Sequence, residues 1–352
     1  WSQFSLLILV DWNFICVLFS LFFYLYPNLF LVRGISVVYK ICSKTVMDTS
    51  DPDIVFDYYG ISNHYWNFKN ILEPNWLRNE KGRHKINELI ANIKKTSSGS
   101  KYDCVIGLSG GLDSSYLLHK AVTEWGLNPL VFHVDAGWNT SQAVDNIKKL
   151  VNALDLELFT DVIEWEEVKS FQRSLFRAGI PHLDIPQDMA FIASLYKYCQ
   201  ISGIKFILNG GNVSTEGVLM PSKFLYWGTD TYHLRDIFKK HGPVCLPTYP
   251  FVNAFYTKIY TRYIKSIKIV KPLNFLDYNK KLAEEELNNL YDWNSYSQKH
   301  FESRFTRFYE GYWLPSRFGY DMRRNQLSSL ILSGQITRDD ALDILTIPPI
   351  SD

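Results

Sequence analysis

Leu108-Ser109-Gly110-Gly111-Leu112-Asp113-Ser114-Ser115 is the stretch on which the fold of this chain turns. Before it lies Cys104-Val105-Ile106-Gly107-Leu108, a short apolar run that predicts a buried strand. After it, Leu117, Leu118, Ala121, Val122 and Trp125 recur at helical spacing. Two adjacent glycines let the backbone turn tightly and bring several N–H groups to one anion. The helix that follows adds the positive end of its dipole. Ser109, Ser114 and Ser115 offer hydroxyl donors to phosphate oxygens. Asp113 repels a phosphate unless a cation lies between them, so its presence points to Mg2+. The spacing is neither GxxxxGK[ST] nor GxGxxG.

Outward from this turn the chain alternates strand and helix. Strands are predicted over 129–135, 156–163 and 204–208. Helices are predicted from the cap Thr140 through Leu154, over 166–178 and over 187–202. Such alternation implies right-handed crossovers and a parallel sheet flanked by helices, with ligands at the carboxyl ends of its strands. Asp135 and the second Gly-rich turn, Asn209-Gly210-Gly211-Asn212, fall at such ends, with Glu216 just beyond. From about residue 218 the alternation stops. Residues 223–320 are rich in aromatic side chains, whose default role is core packing, with stacking on a sugar as the alternative. A helix is predicted over 280–292, and Thr337 with Asp340 predicts a capping box. The division expected is 1–40, an apolar leader; 41–98, a small loop-rich subdomain; 99–218, the nucleotide-binding α/β core; and 219–352, a mainly helical, aromatic-rich region.

Composition narrows the function classes. The 352 residues carry 37 Lys+Arg against 36 Asp+Glu, a net charge of +1, which excludes a bulk-charge nucleic-acid binder. Hydrophobic residues make up 47% and charged residues 21%, which excludes general disorder. Five scattered cysteines do not make a disulfide framework and favour a reducing, cytoplasmic setting. The first methionine is Met47, and residues 14–32 are apolar enough to span a hydrocarbon core of about 30 Å. Three readings of this opening stand: translation upstream of the true start, a membrane anchor through 14–32, or a buried helix.

The SGGLDSS turn resembles the pyrophosphate loop of the PP-loop ATP pyrophosphatases, whose fold is that of the adenine nucleotide alpha hydrolases. More narrowly, the chain is similar to the N-acetyl sugar amidotransferases of surface-polysaccharide (lipopolysaccharide, O-antigen) biosynthesis. The stretches that carry this are Val46-Met47-Asp48-Thr49-Ser50-Asp51-Pro52, Val134-Asp135-Ala136-Gly137-Trp138-Asn139, Asn209-Gly210-Gly211-Asn212 with Glu216-Gly217, Trp313-Leu314-Pro315, and Asp321-Met322-Arg323-Arg324. The likeness covers roughly 40–350. It implies an ATP- and Mg2+-dependent enzyme that adenylylates the acetamido oxygen of an N-acetylated sugar, then replaces it with ammonia to give an acetamidino group. Ser109 and Asp113 are then the candidate catalytic residues. Ser109, Gly110, Gly111, Asp113, Ser114, Ser115, Asp135, Gly210, Gly211 and Glu216 are the candidate nucleotide site, and Arg323 and Arg324 the candidate sugar-nucleotide contacts. Ammonia is expected from a separate glutaminase and its synthase-like partner. The other readings are a tRNA-thiolation type of PP-loop enzyme and a non-catalytic, membrane-attached nucleotide-binding component; a missing CxxC pair near the loop and the lack of a basic surplus argue against the former.

One feature departs from that family, which usually carries a CxxC…CNxC-like knuckle near its start. Here the matching positions are Cys42-Ser43-Lys44-Thr45 and Ser62-Asn63-His64-Tyr65, so one cysteine of four remains. Structural zinc wants four Cys or His ligands, and no zinc site is expected. Asp188 is expected as a first-turn acid favoured by the helix dipole. His182, Asp184, Lys258, Arg262 and Arg304 are further candidates with solvation or packing as their ordinary roles.

Overall fold

The computed structural model describes residues 38–242 and 246–350; the apolar stretch 14–32 lies outside the described residues. Among the described residues no helix is long and apolar enough to cross a membrane. Lys40–Asp352 form one compact unit.

At its centre is one parallel sheet: β1 (Cys104–Gly107), β2 (Pro129–Asp135), β3 (Leu158–Val162), β4 (Phe206–Leu208) and β5 (Lys268–Val270), in the order β3-β2-β1-β4-β5. Val105 pairs with Leu130 on one side and Ile207 on the other, so β1 is central. Successive strand side chains point to opposite faces. Val105, Leu130, Phe132, Val134 and Ile207 therefore pack with Phe171, Leu175, Met189 and Leu195. Cys104, Ile106, Leu108, Val131, Phe206 and Leu208 pack with Leu117, Leu118, Ile147 and Leu150. Burial on both faces is what a parallel sheet requires, and it explains why these strands read as unbroken apolar runs.

The crossover helices are α1 (Leu112–Thr123), α2 (Ser141–Ala153), α3 (Trp165–Ala178) and α4 (Ile185–Ile201). Thr140 caps α2 by accepting from Ala143 N at 3.1 Å. Gly179 ends α3 in the left-handed conformation at φ 67. The short α5 (Val213–Glu216) follows the second Gly-rich turn, and α6 (Lys280–Tyr291), α7 (Arg323–Leu332) and α8 (Arg338–Thr346) belong to the helical C-terminal region. Thr337 and Asp340 form the capping box of α8.

The alternation does not stop at about residue 218. β5 adds a strand beside β4, with Ile207 opposite Ile269. It escapes a pattern search because it has three residues, and as a sheet edge it leaves Lys268 and Ile269 exposed. The aromatic-rich segment mostly packs on itself and on α3: Phe171 meets Phe238 at 5.0 Å, Phe224 meets Tyr320 at 5.0 Å and Phe176 meets Trp313 at 5.2 Å between ring centroids.

The loop-rich segment after residue 40 closes against the C-terminal helices. Val46 N donates to Ser328 Oγ at 3.2 Å, and Arg338 donates to the carbonyls of Cys42 and Thr45. Of the four knuckle positions, Cys42 and Ser62 are joined by a hydrogen bond. Cys42 Sγ accepts from Ser62 N at 3.2 Å and Lys44 N at 3.5 Å, while His64 pairs with Asp51 at 2.6 Å. Burial raises the Cys42 thiol, but donors from Ser62, Thr45 and Lys44 outweigh it and leave it below its ordinary value. Among the described residues no group of three or more His, Cys, Asp or Glu is arranged to hold a metal.

Candidate functional site

The Gly-rich turn leaves the carboxyl end of the central strand and enters α1. Gly110 sits at φ 83, and a Cβ there would lie 2.7 Å from the Ala143 carbonyl oxygen, so both the conformation and the packing demand glycine. Ser109 Oγ accepts from Gly111 N at 3.1 Å and lies 3.2 Å from Ser114 Oγ. The second turn closes against the first. A Cβ on Gly210 would come within 2.8 Å of the Asp113 backbone, which explains why glycine is needed where two strand ends meet.

Between these turns opens a cavity of about 930 Å³, within the usual range for a small-molecule site. Ser109, Gly111, Asp113, Ser114, Gly210, Gly211, Glu216 and Arg323 line it. The remaining candidates do not. Ser115 is fully buried, and its hydroxyl has no hydrogen-bond partner among the described residues. Asp135 caps its own turn, accepting from Gly137 N at 2.8 Å and Asn139 Nδ2 at 3.1 Å.

The electrostatic centre is one that motif reading missed. Lys299 Nζ donates to Asp113 Oδ2 at 2.7 Å, Glu216 Oε1 at 2.8 Å and Thr215 Oγ1 at 2.9 Å. Tyr278 donates its hydroxyl to Asp113 Oδ1 at 2.6 Å. Burial raises the Asp113 carboxyl, but the Lys299 charge and hydrogen bond, with Tyr278, outweigh it and hold the group below its ordinary value. Burial also disfavours the Lys299 ammonium, and the two carboxylates more than compensate, so lysine stays charged. Two carboxylates and one ammonium leave a formal excess of one negative charge. The two carboxylates, which Lys299 now bridges, are hard-oxygen donors of the kind Mg2+ uses together with phosphate oxygens.

The segment that brings Lys299 also brings His300 and Glu302. His300 adopts φ 68, and its Nδ1 lies 2.8 Å from Glu310 Oε1. Ser109 donates its hydroxyl to Glu302 Oε1 at 3.3 Å. No local signal marks these residues, because Lys299 and Asp113 are 186 positions apart in sequence.

The candidate sugar contacts have protein partners. Arg323 pairs with Asp321 at 2.6 Å and donates to the Ile347 carbonyl at 2.8 Å. Arg324 reaches Asp48 at 3.0 Å and the Val46 carbonyl at 2.8 Å. His182 lies 3.1 Å from the Tyr226 carbonyl oxygen and 3.6 Å from Asp188. Lys258 sits 4.9 Å from the Trp227 ring centre.

Residues 302–352 match the family model described as LPS biosynthesis protein WbpG-like, C-terminal domain. An uncharacterized protein of Methanocaldococcus jannaschii is 24% identical over 131 residues, 37% of this chain and 45% of that protein, so the chain spans under half the length of this curated relative. Among solved structures, the NH3-dependent NAD synthetase from Campylobacter jejuni is 15% identical, covering 46% of this chain and 74% of its own at a TM-score of 0.30. The U34-tRNA thiolase NcsA from Methanococcus maripaludis, solved with its [4Fe-4S] cluster, is 13% identical, covering 74% and 80% at a TM-score of 0.33. The C-terminal match agrees with the lipopolysaccharide setting implied by the stretches around Asp48, Asp135, Gly210, Trp313 and Arg323.

Proposed function

We propose that this chain is an ATP-dependent enzyme of lipopolysaccharide biosynthesis that converts the acetamido group of an N-acetylated sugar, carried on a nucleotide, to an acetamidino group. The observation that carries the ATP chemistry is the Ser109–Ser115 turn at the end of the central strand, whose Asp113 joins Lys299 and Glu216 on the wall of one cavity. The C-terminal match supports the polysaccharide setting.

An amide carbon is a poor electrophile because its nitrogen donates into the carbonyl. The acetamido oxygen attacks the α-phosphorus of ATP, the α–β bridging bond breaks and pyrophosphate leaves. Ammonia then adds to the activated carbon, a proton is lost, and the C–O bond breaks to release AMP. Mg2+, when bound, offsets the charge of the departing pyrophosphate. The loop N–H groups and Ser109 and Ser114 hydroxyls orient that leaving group, and Asp113 and Glu216 would hold the cation. No nucleophilic side chain is required, and ammonia comes from separate glutaminase and synthase-like subunits.

The test is incubation of the chain with ATP, Mg2+, ammonia and N-acetylated sugar nucleotides. The expected products are AMP and pyrophosphate in amounts that follow the sugar, with Asp113→Asn lowering turnover about 100-fold. Release of ADP, or no sugar-dependent release, contradicts the reading.

A further inference from the structure

Glu302 lies against the Gly-rich turn. Its Oε1 accepts from Ser109 Oγ at 3.3 Å. A Cβ added to Gly111 would lie 2.5 Å from that same oxygen, so the carboxylate rests against the bare backbone of the turn. Two backbone bonds and one side-chain bond hold the segment that delivers it. Thr140 N donates to the Glu302 carbonyl at 3.0 Å, Arg304 N donates to the Trp138 carbonyl at 2.8 Å, and Tyr296 donates its hydroxyl to the Gly110 carbonyl at 3.0 Å. On the same segment Lys299 pairs with both Asp113 and Glu216 and offsets one of their two negative charges. One strap thus sets an anion, Glu302, against the Gly-rich turn and a cation, Lys299, against Asp113 and Glu216.

Building on the phosphate-site reading above, we propose that the Glu302 carboxylate is an internal competitor that occupies the anion cradle of the Ser109–Ser115 turn and must swing out before pyrophosphate or a nucleotide binds. Two anions do not share one cradle of N–H and O–H donors, since each raises the other's energy there. Glu302 is tied through its own carbonyl and through Arg304 N, so its side chain moves while the strap stays in place. The observed affinity is then the intrinsic affinity reduced by the fraction of molecules with the cradle open.

Titration calorimetry with inorganic pyrophosphate and Mg2+ tests this on wild type, Glu302→Gln and Glu302→Ala, with Glu284→Gln as a control carboxylate on the same cavity wall. Both Glu302 variants are expected to bind about tenfold more tightly than wild type, and Glu284→Gln far less so. Unchanged or weaker binding by the Glu302 variants overturns the competitor role and leaves the phosphate site standing. An equal gain in Glu284→Gln also overturns it, because general charge then accounts for the effect. If no protein binds pyrophosphate while thermal unfolding shows all are folded, the phosphate-site reading falls and this inference with it.

Discussion

At the scale of single residues the site is built from two kinds of information. Gly110, Ser109 and Asp113 announce themselves because the turn is local: a left-handed glycine, short donors and an acid at a helix start fit one task. His300 gives no such signal, yet it takes a left-handed backbone conformation that a side chain seldom adopts. Burial lowers its basicity, but Glu310 outweighs that and lifts the imidazole from 6.5 to about 9. The fold therefore prefers the protonated ring. Its contribution to stability is fully present below about pH 6.5 and is lost as pH rises through about 9. Asn tolerates the same backbone conformation without the charge, so His300→Asn is the informative variant. Urea midpoints of wild type and variant are expected to differ at pH 6 and converge by pH 10; a gap constant with pH would contradict the ion pair.

At the scale of elements, legibility follows burial. The run Pro129–Asp135 is recovered as read, and the strand predicted over 104–108 appears as Cys104–Gly107, because strands covered on both faces are continuously apolar. β5 is lost to such reading because its side chains are exposed at the sheet edge. Residues 256–264, a π-helical stretch, also carry no expected pattern, since their period differs from 3.6. The same reasoning gives a stability prediction for α1. Leu118 is fully buried between that helix and the sheet, so Leu118→Ala leaves a cavity. It should cost about 2–5 kcal/mol in urea unfolding. A cost near zero would mean that α1 does not pack on the sheet as described.

At the scale of the whole molecule, the segments that composition divides at residues 98 and 218 share their cores. Met47 and Phe68 pack with Val218 and Leu332, and Val46 packs with Leu327 and Ala341. Arg324 fastens this arrangement by pairing with Asp48, whose side chain is only 3% exposed. Arg324→Gln leaves that carboxylate buried and short of its cation, at a cost of about 3–5 kcal/mol. Hydrogen exchange should quicken over residues 41–62 with the KM for the sugar little changed. A large rise in KM without faster exchange would return Arg324 to the sugar-contact role first read for it. By itself the sequence determined the parallel α/β core and the phosphate-type turn, since both follow from apolar periodicity and short-range backbone geometry. Only the tertiary structure decided that Lys299 and Glu302 fill that turn, that Ser115 and Asp135 lie off the cavity and that both arginines have protein partners. Those outcomes depend on which distant segments fold back to the strand ends, and nothing in local spacing encodes that return.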